Sequence, residues 1–142
     1  MSVDKINGWL ILQHPLFEDQ LNQLQNDAVA KKSINAQKRF AAVVKLITQD
    51  IPADPTSPKF RLGQALGSQN RHWFRAKFNM QYRLFFRFDS KAKIIILCWI
   101  NDEHTKRAYD SKTDAYVVFK RMIDSGRPPS SFAELLDECY NP

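Results

Sequence analysis

Basic residues are concentrated in one stretch of this sequence, and aromatic residues lie among them. Residues 59–87 contain seven Lys or Arg residues and no Asp or Glu, whereas the whole chain of 142 residues has a net charge of +6. A positive field concentrated in this way attracts a polyanion, and nucleic acid is the simplest one. On charge alone, a solvated basic surface without a partner is an equally good interpretation. The seven residues are Lys59, Arg61, Arg71, Arg75, Lys77, Arg83 and Arg87.

Two alternating segments predict that most of these side chains share one face of a β-hairpin. The alternation in residues 71–78 and in residues 82–88 is typical of strands, and residues 79–81 fit a three-residue turn between them. Aromatic rings on such a face could stack on bases or on guanidinium groups, and the alternative is that they belong to the core. The predicted face carries Arg71, Trp73, Arg75, Lys77, Arg83, Phe85 and Arg87.

The predicted turn would place Lys77 opposite Arg83, with Arg75 diagonally beside them. Directly opposed residues have their Cβ atoms roughly 5 Å apart, a distance at which like charges repel. An anion held between the three side chains would relieve this repulsion, so the hairpin predicts a phosphate-binding site. A bulge in the turn would invalidate the pairing.

A second polar cluster, residues 101–109, directly follows an apolar strand pattern at residues 93–100. In this cluster Glu103 or His104 could act as a general base, although either could equally be an ordinary loop residue. Consecutive acidic and histidine residues point in different directions and no second group of ligands exists, so we expect neither a metal site nor a cofactor. The sequence also lacks a glycine-rich phosphate loop and a nucleophile elbow. His72 falls on the apolar face of its strand, where a core or edge histidine is expected.

The first third of the chain predicts an antiparallel helical hairpin over residues 15–51. Pro15 suits the first turn of a helix, and apolar residues recur after it at steps of three and four. A second helix is expected to begin near Asn35 and to end at Pro52. The three prolines of residues 52–58 then predict a loop.

The segment after the polar cluster predicts two more helices. The first covers residues 113–125, with Ser111 or Thr113 as its cap and Gly126 at its end. The second covers residues 132–139. Two helices, three strands and the C-terminal helices, in that order, predict an α+β domain with an antiparallel sheet, whose last strand is interior and covered on both sides.

Length and composition are those of one soluble domain, residues 1–142. The hydrophobic content of 44% suffices for one core, and no apolar run reaches the roughly 18 residues that a membrane span needs. Because no signal-peptide pattern is present either, we expect a cytoplasmic location. Cys98 and Cys139 do not suggest a disulfide framework, and Cys98 is expected to pack in the core. The expected parts are a helical hairpin over residues 15–51, a sheet over residues 60–101 and a C-terminal helical part over residues 111–140.

Separate blocks of the sequence, in one order, match a known family pattern. The blocks of the predicted sheet are Arg61-Leu62-Gly63, Leu66-Gly67, Trp73-Phe74-Arg75-Ala76-Lys77-Phe78, Tyr82-Arg83-Leu84-Phe85-Phe86-Arg87 and residues 94–100. The other blocks are Asn7-Gly8-Trp9, His14-Pro15, Ser57-Pro58-Lys59-Phe60, Trp99-Ile100-Asn101-Asp102-Glu103, Arg107-Ala108-Tyr109, Lys112-Thr113-Asp114-Ala115-Tyr116-Val117-Val118-Phe119 and Gly126-Arg127-Pro128-Pro129. The first group resembles the RelE/ParE toxin core, and the second resembles the YhaV family within that superfamily. The resemblance covers roughly residues 6–129.

The resemblance implies a toxin of a bacterial type II toxin–antitoxin system, an endoribonuclease that inhibits growth by cutting translated messenger RNA on the ribosome. It implies a RelE-like fold, in which a C-terminal helix packs on a curved antiparallel sheet. It also implies a PrlF-like antitoxin of the AbrB type as partner. In RelE-like nucleases the ribose 2′-OH of the substrate attacks the adjacent phosphate without a metal, so a base and several cations are required.

Carried onto this sequence, the resemblance implies a catalytic group of mostly basic residues. Arg75 and Arg83 would clamp the phosphate, because a planar guanidinium can engage two oxygens at once. Lys77 would stabilise the transition state and could be the base, with Glu103 as the competing base. Arg107 would be a third phosphate contact.

The remaining expected contacts are with the RNA chain. Tyr109 would stack on or orient a base, with Tyr116 as its substitute if the helix reaches the site. Arg87 would bind the RNA backbone at the rim. The other expected RNA contacts are Arg71, Trp73, Phe85 and Lys112.

Two other functions remain compatible with the sequence. A ParE-like toxin that poisons gyrase would share the fold without needing RNA chemistry. A non-catalytic co-repressor would bind operator DNA together with the antitoxin. The basic cluster beside Glu103 and Tyr109 favours the endoribonuclease, because a gyrase poison has no need of it.

Overall fold

The structure is a computed structural model that describes residues 4–108 and 111–142. Its centre is a five-stranded sheet in the order β1-β2-β5-β4-β3. The strands are β1 (Asp4–Ile6), β2 (Trp9–Gln13), β3 (Phe74–Phe78), β4 (Tyr82–Asp89) and β5 (Ile94–Ile100). The helices are α1 (Pro15–Val29), α2 (Ile34–Lys45), α3 (Ala115–Asp124) and α4 (Phe132–Tyr140). None of the described helices is long and apolar enough to cross a membrane.

The α+β class is confirmed, but the prediction of a purely antiparallel sheet was wrong. Strand β2 pairs with β5 in parallel, whereas the other neighbouring pairs are antiparallel. The predicted sheet, residues 60–101, therefore omitted β1 and β2, which the structure adds at one edge. Because β2 occupies one edge of β5 and β4 the other, β5 is the interior strand that its apolar sequence predicted.

An Asn-Gly turn joins the two strands that the prediction missed. Ile6 pairs with Trp9, which leaves Asn7 and Gly8 as a two-residue loop. Both loop residues have positive φ, 50° and 83°, as the type I′ turn of a tight hairpin requires. Glycine adopts this conformation without strain, and asparagine tolerates it better than most residues.

Helices α1 and α2 pack on one face of the sheet. The predicted start of α1 is confirmed: His14 accepts a hydrogen bond from the backbone of Leu16, and Pro15 is in the first turn. Helix α2 continues through a π-helical turn, Leu46–Asp50, and one more turn, Ile51–Ala53, so the helical segment ends one residue after the predicted Pro52. The core on this face includes Phe17, Leu24, Val43, Leu84, Phe86, Ile95 and Leu97.

Helices α3 and α4 cover the opposite face of the sheet. Phe85 stacks on Phe119 of α3 with ring centroids 4.2 Å apart, and Trp73 meets the same ring edge-on at 5.0 Å. Gly126 ends α3 with φ +85, as expected. Cys98 is fully buried here, which confirms its packing role. The core on this face includes Leu66, Trp73, Phe85, Ile96, Cys98, Phe119 and Leu135.

The hairpin of β3 and β4 has the predicted register. Phe78 pairs with Tyr82 across the turn at residues 79–81, so Lys77 lies opposite Arg83. Strand β3 is shorter than the predicted 71–78. It begins at Phe74, after a 3-10 turn, Ser68–Asn70, and a further turn at residues 71–72.

Candidate active site

Three arginines converge on one buried tyrosine where α3 covers the turn end of the β3–β4 hairpin. The Nε atoms of Arg75 and Arg83 donate to the Tyr116 hydroxyl oxygen at 2.9 and 3.0 Å. The guanidinium of Arg107 lies 4.7 Å from the centroid of the Tyr116 ring. We call Arg75, Arg83, Arg107 and Tyr116 the arginine–tyrosine cluster. It unites two adjacent strands, the loop after β5 and the first turn of α3.

Backbone carbonyls hold Arg83 and make its burial possible. Its Nη1 donates to the carbonyls of Met80 and Tyr82, both at 2.9 Å, and the residue is only 7% exposed. The Nη1 of Arg75 donates in the same way to the carbonyl of Arg61 at 2.6 Å. These oxygens supply partial negative charge, which offsets the like-charge repulsion expected between neighbouring cations.

The second terminal nitrogens of Arg75 and Arg83 remain available to a ligand. Within the described chain, the Nη2 of neither arginine makes a hydrogen bond, and neither side chain has a carboxylate within 4 Å. Two cations fixed in this way and lacking a counter-ion form a site that favours an anion.

Lys77 is close to this cluster in the sheet but has a different environment. It is exposed and lies opposite Arg83 in the register, as predicted. With Leu46, Asp50, Lys59 and Phe60 it lines a cavity of about 260 Å³ beside the hairpin, and the lining includes none of the arginine–tyrosine cluster. The carbonyl of Lys59 accepts from Arg75 at 3.3 Å, which places the backbone of Lys59 beside the cluster.

The cap of α3 is Asp114, and the prediction of Ser111 or Thr113 was wrong. The Oδ2 atom of Asp114 accepts from the backbone of Tyr116 at 3.0 Å. The hydroxyls of Ser111 and Thr113 instead bond to each other at 2.9 Å. Asp114 is only 3% exposed, so this cap is buried. It fixes the first turn of α3, which carries Tyr116.

Asn101 ties the loop after β5 to the hairpin, a role that sequence reasoning missed. Its side chain is fully buried and accepts from the backbone of Arg83 at 2.7 Å. Its Nδ2 donates to the carbonyls of Gln81 at 3.0 Å and Thr105 at 2.9 Å. The available signal was a polar residue directly after six buried strand residues, where a polar side chain requires buried partners.

Glu103 and His104 lie at a different cavity from the cluster. Both are exposed and line a space of about 400 Å³ on the α1 side, with Asp19, Asp27 and the mostly buried Arg39. The residues that line this cavity include none of the arginine–tyrosine cluster and not Lys77. The structure therefore does not bring the competing base candidate to the anion-favouring site.

The prediction that Trp73 and Phe85 stack on bases was wrong. Both rings are fully buried, and α3 covers them. The alternative, that they belong to the core, is correct. Tyr116 likewise has too little exposure, 8%, to stack on a base, and its hydroxyl is the part that faces the arginines.

Arg87 is not at a rim, as had been predicted, but is buried at the far end of the hairpin. It donates to the carbonyl of Ser130 and packs between the rings of Trp73 and Phe132 at 5.3 and 5.7 Å. Burial lowers the pKa of its guanidinium. The same burial raises the pKa of the nearby Cys98 thiol. These contacts give Arg87 a structural role.

The other predicted RNA contacts are scattered. Arg71 and His72 are exposed and precede the edge strand β3, so of the two expected positions for His72, core or edge, the structure shows the edge. Lys112 is exposed before α3, and its carbonyl accepts from Arg121 at 3.2 Å. Tyr109 lies outside the described residues. Among the described residues, no group of three or more His, Cys, Asp or Glu could hold a metal ion.

Comparisons with known proteins show the family of this chain. A family profile described as "Toxin with endonuclease activity, of toxin-antitoxin system" matches residues 11–140. The "Toxin YhaV" of Escherichia coli O6:H1 and the "Ribonuclease toxin YhaV" of Escherichia coli K12 are each 42% identical over 144 aligned residues, which cover 94% of both chains. No solved structure matches the chain significantly. The chain belongs to the YhaV family of toxins with endonuclease activity from toxin–antitoxin systems.

Proposed function

We propose that this toxin is an endoribonuclease that cuts messenger RNA at the arginine–tyrosine cluster. The observation that carries the proposal is the pair of Nη2 groups on Arg75 and Arg83, which are anchored through their other nitrogens and have no counter-ion among the described residues. Fixed donors of this kind stabilise charge that builds up on a phosphate in the transition state. The ribonuclease name of one relative supports RNA as the substrate.

In the proposed reaction the ribose 2′-OH attacks the adjacent phosphorus. The new O2′–P bond forms while the P–O5′ bond breaks, which yields a 2′,3′-cyclic phosphate and a 5′-OH end. The 2′-OH proton passes to a base on the protein, and the leaving O5′ takes up a proton. Arg75 and Arg83 bind the nonbridging oxygens, and Arg107 adds positive charge beside them. The reaction assigns no step to a metal.

Lys77 is the better of the two base candidates. It lies directly opposite Arg83, whereas Glu103 lines the cavity on the α1 side. Tyr116 contributes in a different way. Its oxygen accepts two N–H bonds, so its own hydrogen can be donated to a phosphate oxygen that enters between the arginines.

Finer assignments rest on the sequence resemblance. We propose that the fold is of the RelE type, in one domain, and that the substrate is translated mRNA on the ribosome in the cytoplasm. The partner that neutralises the toxin would be an AbrB-like protein of the PrlF type. The two together would bind operator DNA as a repressor.

The test is cleavage of a long mixed-sequence RNA by the purified toxin, with and without translating ribosomes. We expect cut ends that carry 2′,3′-cyclic phosphate and 5′-OH, and the same rate in EDTA. Complete loss of cleavage in EDTA would overturn the metal-free mechanism. RNA that stays intact under both conditions, with inhibited DNA supercoiling, would identify a gyrase poison instead. Operator binding without any cleavage would leave only the co-repressor function.

A further inference from the structure

Asp114 makes more contacts than the cap of a helix requires. A capping side chain needs one oxygen to accept from the first turn, and Oδ2 of Asp114 does this with the backbone of Tyr116. The other oxygen, Oδ1, bonds outside the helix. It accepts from the backbone of Ala108 at 2.6 Å and from Nη1 of Arg107 at 2.5 Å.

The pairing of Asp114 with Arg107 takes place in a largely buried setting. The two side chains are 4% and 19% exposed. A charge-assisted hydrogen bond is stronger and better oriented than a neutral one, above all where water is excluded. The position of the Arg107 guanidinium, 4.7 Å from the centroid of the Tyr116 ring, therefore depends on this carboxylate.

We propose that Asp114 is a positioning residue of the nuclease, which sets Arg107 and Tyr116 relative to each other through the two oxygens of one carboxylate. The inference rests on the proposed function of the arginine–tyrosine cluster. Tyr116 in turn accepts from Arg75 and Arg83, so one buried acid fixes how the third arginine meets the other two. Asp114 itself does not touch the substrate.

A serine at this position separates capping from positioning. Serine is as good a helix cap as aspartate, so Asp114→Ser keeps the bond to the backbone of Tyr116 but removes both bonds of Oδ1, to the backbone of Ala108 and to Arg107. A misplacement of about 1 Å at a catalytic group costs up to about 100-fold in rate. We expect Asp114→Ser to lower kcat about 10- to 100-fold, with little change in KM for RNA.

A double-mutant cycle shows whether Asp114 acts through Arg107. Single-turnover cleavage is measured for Asp114→Ser, Arg107→Ala and the double variant, at a temperature where circular dichroism shows all of them folded. If Asp114 positions Arg107, the serine substitution has a much smaller effect once Arg107 is gone, and what remains is the effect of the lost bond to the Ala108 backbone. An equal loss in both backgrounds would show a general structural role and overturn the inference. Wild-type cleavage by Asp114→Ser would overturn it too.

Two matched controls account for stability and surface charge. Ser33→Ala removes the cap of α2, whose hydroxyl accepts from the backbone of Ala36 at 3.2 Å, and should lower the thermal midpoint without changing cleavage. Asp124→Ser breaks the exposed pair with Lys120 on α3 itself and should change neither.

The same measurements separate this inference from the proposed function. If Arg107→Ala cleaves like the wild type, the inference fails, while the proposal for Arg75 and Arg83 stands. If the wild-type protein does not cut RNA at all, the proposed function fails and the inference fails with it.

Discussion

The face of the β3–β4 hairpin that α3 covers has two ends, and they are built differently. At the turn end, Arg83 bonds to carbonyl oxygens and to the Tyr116 hydroxyl, and the exposed Lys77 lies opposite it. At the far end, Arg87 is enclosed between Trp73 and Phe132. We call these the turn end and the closed end.

The two ends differ in what covers them, not in how buried their arginines are. Arg83 and Arg87 project from the same face of β4 and are 7% and 9% exposed. Arg87 has aromatic rings near its guanidinium, which compensate its charge by cation–π contact. The Arg83 guanidinium also lies 5.8 Å from the centroid of one ring, that of Tyr116, but its hydrogen bonds go to the Tyr116 hydroxyl and to two carbonyl oxygens, and its Nη2 remains for an anion. Burial alone therefore does not separate the arginine that we propose to be catalytic from the structural one.

Loss of Arg83 should have the largest effect on cleavage. Arg83→Ala removes a donor to the phosphate and should slow cleavage about 10²- to 10³-fold. Repulsion from Lys77 alone would let the variant fold as well as the wild type or better. Because the carbonyls of Met80 and Tyr82 lose their donor, we instead expect the thermal midpoint to fall.

Single-turnover cleavage, RNA affinity and the thermal midpoint of Arg83→Ala test this prediction together. The control is Lys38→Ala, because Lys38 is exposed on α2, on the other face of the sheet, and should affect none of the three strongly. Lower affinity with unchanged cleavage at saturating RNA would make Arg83 only a backbone contact and place the catalytic centre elsewhere.

Loss of Lys77 should have the next largest effect. If Lys77 takes the 2′-OH proton, Lys77→Ala should slow cleavage about 10²-fold, at the lower end of what a positioned base contributes. Glu103→Gln, in the cavity on the α1 side, should cleave like the wild type. The rate of each variant across a pH series is the measurement. A larger loss for Glu103→Gln than for Lys77→Ala would reverse the assignment of the base.

Removal of the Tyr116 hydroxyl should have a smaller effect, about tenfold. Tyr116→Phe keeps the ring that packs against Phe85 and Arg107 but leaves two Nε donors without their acceptor. We expect this effect because both arginines become less well oriented, and a tenfold loss of rate corresponds to about 1.4 kcal/mol of activation free energy. Tyr140→Phe, at an exposed tyrosine, is the control. Unchanged cleavage by Tyr116→Phe would show that the carbonyls alone orient the arginines.

The sequence predicted the turn end well because its determinants are local. A three-residue loop and strict alternation are enough to place Lys77 opposite Arg83. The N-terminal hairpin also had a local signal in Asn7-Gly8, but β1 is only three residues long and shows no periodicity. The parallel pairing of β2 with β5 joins residues more than 80 positions apart, which no local pattern reveals.

The closed end could not be predicted because alternation does not show which face a helix will cover. Trp73 and Phe85 fit an exposed aromatic surface and a core equally well by spacing. Only the tertiary packing of α3 decides between them. The same limit applies to Asp114, since Ser111 and Thr113 are equally good caps by residue type, and the choice depends on where Arg107 and the helix meet.

Loss of Arg87 should have the smallest effect on cleavage and the clearest effect on stability. Arg87→Ala leaves the Ser130 carbonyl without its donor and removes the side chain that packs between Trp73 and Phe132. The free energy of unfolding should fall by about 1–3 kcal/mol. Cleavage by the folded protein should not change, and the salt dependence of RNA binding should remain that of the wild type.

The salt dependence of RNA binding should differ between the closed end and the turn end. A surface arginine that binds RNA releases counter-ions, so its loss lowers the slope of log affinity against log salt by about one. The buried Arg87 should show no such decrease, whereas Lys77→Ala, at the exposed turn end, should show it. Measuring the salt dependence of both variants alongside urea unfolding therefore separates a phosphate contact from a structural cation. A lower slope for Arg87→Ala, with unchanged stability, would mean that the closed end opens in solution and that RNA reaches both ends of the hairpin.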